Sequence, residues 1–439
     1  MNVAAAAEAR DIYVKLGGGN VNIASDSDMI LASGNAGAVQ IGRSANLNIS
    51  GSNVIVNGRA FALPVKITSS GLLKFNGRSY RGAFVVTQRA GLLNILDLEL
   101  YLRGVLPAEV GAAWPMEALR AQAIISRTYV LRQSINNRAN RGYDVVDTDS
   151  DQVYKGADVE TAKTNQAVAS TSGEIVAYRG ELAFTPFHSD SGGYTANNAD
   201  VWGKSIPYLG GVPEAVEYRS PVSSWSVKIS RSHIAKSIGG NLGSIIEVRV
   251  TETDAGGRAI GITVVGTKGR KTMKASNFRL AVGARLLRST MLTPYATGAR
   301  NNNNNNSKAR PVRMPELNMP QEQLLAQMTA AGVFTSAEMI DMLTNPDRKN
   351  YYYKVGLERS ANGKNIKPVT TVKQMPSFGG MSGGFSIAAD GDDFIFYGKG
   401  WGHGVGLSQW GAQAMAQKGW TAERILTHYY PGTNITGYR

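Results

Sequence analysis

The chain has 439 residues, 43% of them hydrophobic, and a formal net charge of +14. This length is sufficient for a large buried core and favours two or three domains over one. The absence of cysteine excludes disulfides, thiol catalysis and cysteine-ligated metal sites.

The positive charge, with a pI near 9.7, indicates an anionic partner: nucleic acid, an anionic membrane face, or a cell-wall polymer that carries carboxylates and phosphates. The basic residues are scattered along the chain, and the signature of a nucleic-acid-binding module is absent. We therefore disfavour nucleic acid. A basic surface that serves only solubility remains an alternative.

The first residues, Met1 to Leu16, show no basic segment followed by a long apolar one. No apolar run of about 18 residues, the length of a membrane-spanning helix, occurs anywhere. The sequence predicts neither a signal peptide nor a membrane span. If the protein is exported, we expect the numbering to begin after a removed leader.

Short apolar segments separated by Gly, Ser, Asn and Asp fill the chain from Asp11 to about Gly51. Such spacing is typical of small strands joined by turns, so we predict a β-rich N-terminal region over residues 1–51. Strand-like segments continue to Leu98. With the helices that follow, they indicate an α+β fold, with mixed strands and helices around a substrate groove.

The first long helix is predicted to begin at Pro115, which suits a first-turn position, and to continue to about Gln133. Arg127 falls in a stripe at helical spacing beside apolar residues, at the edge of the buried surface. An arginine there either covers the core with its aliphatic stem or serves a site, and the pattern leaves both open.

A second helix is predicted from Thr161 to Ser172, closed by Gly173, and a hairpin follows around Arg179 and Gly180. The next loop, Phe187 to Tyr194, combines small polar residues with paired glycines. Such a loop brings backbone amides close to a ligand, although an ordinary turn has the same composition.

The composition changes over residues 292–378, where six consecutive asparagines precede two short predicted helices, 320–331 and 337–343. We interpret this segment as a partly helical insertion with an Asn-rich linker. Residues 52–291 and 379–439 would then form the catalytic core. Packing of the two helices on the main body is favoured over a partner-binding role.

Near the C-terminus, a hairpin signal around Asp390 to Asp393 leads to a Gly-rich segment that starts at Gly398. Two helices follow, one from Ser408 to Lys418 and one from Thr421 to just before Pro431. The Gly-rich segment lacks the Gly-Lys-Ser/Thr ending of a phosphate loop, so it does not indicate nucleotide binding.

Glu109 has unusual surroundings for a carboxylate, because no other residue from Val105 to Trp114 has an ionisable side chain. Burial in such a setting raises the pKa of a carboxyl group and lets it hold a proton near neutral pH. A general acid needs that property, so Glu109 is the candidate catalytic residue.

The chain has four histidines, and they lack the short spacing of a histidine zinc site. His188 and His403 lie in Gly-rich loops, where structural and functional roles are both open. Ser189 and Ser191 adjoin His188 too closely to imply a catalytic triad, and no Gly-x-Ser-x-Gly motif occurs. We expect no metal and no other cofactor.

Glycoside cleavage suits these residues better. A hydrolase places two carboxylates across the bond, and Asp147, Asp149 and Asp151 are candidates for the second one. A transglycosylase uses one carboxyl group twice: it protonates the leaving oxygen, then takes a proton from the sugar hydroxyl that attacks the anomeric carbon. A single shielded glutamate suits the second mechanism.

Five groups of residues in chain order resemble motifs of the stage II sporulation protein D family of peptidoglycan lytic transglycosylases. The resemblance covers about Leu98 to Thr433. The matching segments are LELYLRGV (98–105) with PAE (107–109), EALRAQA (117–123) with RTY (127–129), DQVY (151–154), HSDSGG (188–193) with VWG (201–203), and GWGHGVGLSQ (400–409) with HYYPG (428–432).

The resemblance implies that Glu109 is the catalytic acid/base, which cleaves the bond between N-acetylmuramic acid and N-acetylglucosamine and leaves a 1,6-anhydro end. It implies glycan strands as the substrate and an extracytoplasmic location, in the cell envelope or secreted. The residues of the matched motifs that become candidates for binding substrate are Arg127, Gln152, Tyr154, His188, Ser189, Ser191, His403 and Gln409.

Two departures from the family pattern matter. Some members bind zinc through cysteines in the segment equivalent to Val145 to Tyr154, which here has none, and residues 292–378 have no counterpart in the simplest members. Relatives named amidase enhancers imply a rival function: a non-catalytic wall-binding protein that stimulates a cell-wall amidase as its partner. The presence of Glu109 within its matched motif favours catalysis.

Overall fold

The computed structural model describes residues 11–34, 37–294 and 384–438. The chain folds into two compact units, the first formed by Met1–Tyr218 and His403–Arg439, the second by Arg219–Gly402. The second unit is thus inserted in the sequence of the first, over a longer segment than the predicted insertion. The two helices predicted within that insertion lie outside the described residues.

One large sheet dominates the first unit. Among the described residues its strands pair in the order β11-β1-β10-β9-β6-β2-β3-β4-β5, and β7 joins β2 to β8. Its strands are β1 (Asp11–Gly17), β2 (Val21–Ser33), β3 (Ala38–Ser50), β4 (Asn53–Val56), β5 (Arg59–Ala62), β6 (Val65–Ser69), β7 (Leu73–Phe75), β8 (Arg78–Tyr80), β9 (Ala83–Thr87), β10 (Gly91–Asp97) and β11 (Val145–Val146).

Buried residues alternate with more exposed ones along most of these strands, for example Ile12 and Val14 in β1 and Met29 and Leu31 in β2. This alternation is why the sequence favours strands here. The turn at Gly51, which we predicted as a domain boundary, joins two paired strands of the same sheet, Ser50 opposite Asn53.

Two small sheets complete the strands of the first unit, in the order β13-β12-β24 and as the parallel pair β14-β23. The hairpin predicted around Arg179 and Gly180 is confirmed, since Tyr178 pairs with Glu181 and both turn residues have positive φ. The strands are β12 (Glu174–Tyr178), β13 (Glu181–Leu182), β14 (Phe187–His188), β23 (Leu407–Ser408) and β24 (Asn434–Gly437).

Four helices of the first unit begin near the predicted positions. One continues further than predicted, to Arg141, where Gly142 ends it in the left-handed conformation. The helices of this unit in the described residues are α1 (Leu98–Glu109), α2 (Met116–Arg141), α3 (Ala162–Ser170), α4 (Asn198–Trp202), α7 (Gln409–Gln417) and α8 (Ala422–Tyr429). Within the described part of the chain, no helix is both long and apolar enough to cross a membrane.

The second unit has its own core, in which α5 (Arg231–Ile238) and α6 (Ala275–Val282) contribute Ile234 and Phe278. Its sheets have the orders β15-β22-β19, with β21 beside β22, and β18-β17-β16-β20. The hairpin predicted around Asp390 to Asp393 is confirmed. The strands are β15 (Trp225–Ser230), β16 (Ile245–Thr253), β17 (Ala259–Gly266), β18 (Gly269–Lys274), β19 (Leu292–Thr293), β20 (Phe385–Ser386), β21 (Ala388–Asp390) and β22 (Asp393–Gly398).

Candidate active site

Glu109 is the last residue of α1, a helix that the sequence analysis did not predict. Asp97 begins this helix, because its side chain accepts hydrogen bonds from the backbone N–H groups of Glu99 (2.8 Å) and Leu100 (3.4 Å). At Val110 the backbone becomes extended and the helix ends. The buried face that fixes α1 to the core consists of Leu98, Tyr101, Leu102, Gly104, Val105 and Leu106.

The Glu109 carboxyl group is partly buried and has a defined donor. Its Oε1 accepts a hydrogen bond from the backbone N–H of Val153 at 2.6 Å, and the side chain of Gln409 donates to the Glu109 carbonyl at 3.4 Å. Burial raises the pKa of Glu109 to about 7, the nearby Asp149 acts in the same direction, and the hydrogen bonds from Val153 and Gln409 oppose them. Glu109 therefore exchanges its proton near neutral pH.

A cross-linked loop holds Val153 in place. The carboxylate of Asp151 accepts hydrogen bonds from the Tyr129 hydroxyl (2.9 Å), the Gln133 amide (3.2 Å) and the Val146 backbone N–H (3.0 Å). Tyr129 and Gln133 are one turn apart on α2, so this helix anchors the loop that carries Val153. Asp151 thus serves the fold and orients the donor to Glu109.

The two other carboxylates of this loop have different surroundings. Asp147 is partly buried, its nearest cation is Arg78 at 3.8 Å, and burial raises its pKa. Asp149 is exposed and close enough to influence Glu109. Of the three aspartates weighed as a second carboxylate, Asp149 is the one whose charge reaches Glu109.

Gln152 and Tyr154 are buried beside α1 and are not on a surface. Gln152 is fully buried and accepts a hydrogen bond from the Tyr101 hydroxyl at 3.1 Å. Tyr154 donates to the Asn94 side chain at 2.8 Å, and its ring centroid lies 5.1 Å from that of Tyr101. These side chains support α1. Because neither is exposed, neither reaches a substrate at the surface, although the sequence had led us to expect such contact.

Arg127 is also fully buried, and not at the edge of the core as predicted. Its guanidinium pairs with both carboxylate oxygens of Glu99 at 2.7 Å and donates to the Glu174 carbonyl at 3.0 Å. It further reaches the Val168 carbonyl at 3.3 Å. The position on α2 was predictable; the ion pair that permits complete burial of a charge was not.

Two motifs that are distant in sequence meet at the pair of strands β14 and β23. His188 lies opposite Ser408, and its Nδ1 is 3.2 Å from the Val405 carbonyl, so this nitrogen carries a proton and donates. The Val405 N–H donates to Nδ1 of His403 at 3.0 Å, which places the proton of neutral His403 on Nε2. The two imidazole centroids are 5.5 Å apart.

Glu214, which the sequence analysis did not identify, joins the same loops. Its Oε1 accepts a hydrogen bond from the Ser191 hydroxyl at 2.5 Å, and its Oε2 accepts one from the Tyr429 hydroxyl at 2.6 Å. Burial raises its pKa. Ser191 also contacts Ser408 through its backbone N–H at 3.3 Å. The hydroxyl-rich motif predicted to bind a ligand thus bonds to a partly buried carboxyl group.

Two tryptophans lie near Glu109. Trp410 follows Gln409, its ring centroid is 5.2 Å from that of Trp114, and both side chains are partly exposed. The backbone N–H of Trp410 donates to the Ser189 carbonyl at 3.0 Å, which holds the partly exposed Ser189 beside α7. Partly exposed aromatic faces suit the apolar faces of sugar rings. Trp114, five residues after Glu109, could have indicated this sugar-binding surface from the sequence.

Within the described residues, no three His, Asp or Glu side chains converge closely enough to hold a metal ion. A hollow of about 600 Å³ lies on the Tyr129 side of the cross-linked loop, and Glu109 is not part of its lining. The arrangement around Glu109 offers a titratable carboxyl group, fixed backbone and amide donors, and aromatic surface.

Comparison with known proteins identifies the region that carries these residues. Residues 87–178 match the family model described as stage II sporulation protein. The chain is 28% identical over 349 residues to an amidase enhancer of Bacillus subtilis, an alignment that covers 77% of this chain and 40% of that protein. It is 27% identical over 355 residues to the stage II sporulation protein D of the same organism, covering 78% and 75%.

An uncharacterised protein of Brachyspira hyodysenteriae is 27% identical over 366 residues, covering 83% of this chain and 74% of that protein. The predicted resemblance to the stage II sporulation protein D family is confirmed by these matches. The chain spans less than half of the amidase enhancer's length.

Proposed function

Residues 87–178 carry the domain of the stage II sporulation protein family, and on this premise we propose that the protein is a peptidoglycan lytic transglycosylase with Glu109 as its general acid and base. The relatives named amidase enhancer and stage II sporulation protein D support a role at the cell wall. The observation that carries the finer proposal is the pKa of Glu109, raised to about 7 by burial.

The proposed reaction uses Glu109 twice. Its carboxyl group first donates a proton to the glycosidic oxygen between N-acetylmuramic acid and N-acetylglucosamine, and the bond to the anomeric carbon breaks. The resulting carboxylate then takes the proton of the 6-hydroxyl of muramic acid while that oxygen attacks the anomeric carbon. The product is a 1,6-anhydro end, Glu109 regains its proton, and no water is consumed.

The surroundings of Glu109 support both steps. The Val153 N–H holds one carboxyl oxygen, which leaves the other for the substrate. The Trp114 and Trp410 pair and the Nε2–H of His403 are our candidates for contact with the sugars, with Gln409 fixing the end of α1. Arg127, Gln152 and Tyr154 contribute by holding this arrangement from within the core.

Digestion of purified, peptide-free glycan strands, with mass spectrometry of the products, tests this proposal. We expect 1,6-anhydro-muramic acid ends from the wild type and a loss of at least about 100-fold in rate for Glu109→Gln. The matched control is Asp149→Asn, which removes the exposed carboxylate on the neighbouring loop. Reducing muramic acid ends, abolished by Asp149→Asn, would instead indicate a two-carboxylate hydrolase.

A second candidate is favoured by the relative named amidase enhancer. In this function the protein binds glycan without cutting it and stimulates a separate cell-wall amidase. The two candidates differ when the purified protein meets glycan with no amidase present. Release of anhydro ends supports the transglycosylase, and intact strands combined with faster turnover of an added amidase support the enhancer.

A further inference from the structure

The positive charge of the chain is concentrated in the second unit. The described residues of the first unit include 20 Lys and Arg against 20 Asp and Glu, whereas those of the second include 14 against 6. Over the full segment 219–402 the counts are 25 and 12, a net +13 of the chain's +14. A surface that is basic only for solubility gives no reason for this asymmetry.

One sheet of this unit has a buried face and an outer face. Val248 and Val250 of β16 and Ile262 and Val264 of β17 are fully buried and face the core. The residues between them point outward, since side chains alternate along a strand.

On the outer face, Thr263 of β17 lies opposite Thr272 of β18, and their hydroxyl groups are 2.7 Å apart. This hydrogen bond confirms that these strands present the same face to solvent.

Basic side chains surround the threonine pair. Arg249 of β16 lies opposite Thr263, while Arg270 and Lys274 are two residues before and after Thr272 on β18. Arg249 and Arg270 are exposed and Lys274 is partly exposed. With strands about 4.8 Å apart, the three lie within about 10 Å of Thr272. This distance is close to a Debye length of about 8 Å, so their fields add at physiological salt.

Two acidic residues lie on this face: Glu247, which accepts a hydrogen bond from the Ser386 hydroxyl, and the exposed Glu252, which lies opposite Gly261. The three basic residues outnumber them. The strand segments that form the face contribute no aromatic ring on which nucleic-acid bases would stack. Guanidinium, ammonium and hydroxyl groups are the donors that recognise phosphate oxygens. The face therefore suits a chain of phosphates without stacked bases.

We propose that this basic face, defined by Arg249, Thr263, Arg270, Thr272 and Lys274, binds an anionic cell-wall polymer with repeating phosphodiesters. Binding there keeps the protein on the wall and takes no part in the chemistry at Glu109. The choice of a wall polymer rests on the proposed function, whereas recognition requires only the repeated phosphate groups. Affinity then depends on salt, because each contact releases a counterion.

The test is the affinity of the full chain for poly(glycerol phosphate), measured by calorimetry at several salt concentrations. The variant Arg249→Gln/Arg270→Gln/Lys274→Gln removes three charges from the basic face. A matched control, Lys66→Gln/Lys204→Gln/Lys418→Gln, removes three charges from exposed positions of the first unit.

We expect the basic-face variant to bind about tenfold to 100-fold more weakly at 0.1 M salt, with the slope of log K against log salt reduced by about 2. The control variant should bind like the wild type. Equal losses in both variants, or tighter binding of single-stranded DNA than of the polymer at the same salt, would overturn the proposal. No turnover is measured, so failure of the lytic activity would leave this result unaffected.

Discussion

Replacement of Glu109 by glutamine should change how stability depends on pH. The carboxyl group has an ordinary pKa of 4.5, and burial raises it to about 7 in the folded protein. Between these values the folded protein holds a proton that the unfolded chain has released, so the unfolding free energy falls as pH rises through the window. At 1.36 kcal/mol for each unit of pKa, the full effect is about 3 kcal/mol.

Glutamine has nearly the same shape, keeps an oxygen to accept the Val153 N–H, and does not titrate. Relative to the wild type, Glu109→Gln should therefore gain about 3 kcal/mol of unfolding free energy between about pH 4 and about pH 8. Urea denaturation of both proteins at each pH measures this, because the other titrating groups cancel in the difference. A difference between the two proteins that does not change with pH would refute the argument that burial keeps Glu109 protonated.

Three other substitutions test the supports of the site. Arg127→Met removes the buried partner of an ion pair whose other partner, Glu99, is partly exposed, and should lower the unfolding free energy by about 2 kcal/mol; a loss below about 0.5 kcal/mol would contradict its assigned role. Gly411→Ala places a Cβ against the carboxylate of Glu214 and should lower the melting temperature by several degrees, whereas Gly437→Ala, where a Cβ meets open space, should leave it nearly unchanged. Asp151→Asn weakens the hydrogen bonds that hold the cross-linked loop. It should lower the unfolding free energy, measured by urea denaturation, by about 1 to 2 kcal/mol and also slow glycan cleavage. Unchanged stability and activity would show that the loop needs no such anchor.

The sequence predicted those parts of the fold that local patterns control. Short apolar segments separated by turn residues located most strands of the large sheet, although β5, β6, β8 and β11 were missed. Thr161, Ser408 and Thr421 marked helix starts, because their side chains satisfy backbone N–H groups that lack helical partners. The helix α1 was missed although Asp97 caps it in the same way. Its apolar residues continue directly from β10, so no change of composition separates the strand from the helix.

The candidate site was predictable only in part, for a related reason. Glu109 was found from its uncharged neighbours, a local property. The buried positions of Arg127 and Gln152 depend on Glu99 and Tyr101, and Glu214 depends on Ser191 and on Tyr429, which is far along the chain. Long-range pairing of this kind leaves no periodicity in the sequence.

The chain departs from the first unit after Tyr218 and re-enters it at His403, and the Tyr218 hydroxyl is 3.1 Å from Oγ of Ser408. The two points where the inserted segment begins and ends are therefore joined by a hydrogen bond within the first unit. Because the two points are joined in this way within the first unit, a connecting segment of a different length can span them without moving the strands and helices on either side. We therefore expect that a short linker in place of residues 219–402 would give a smaller protein that keeps the fold of the first unit.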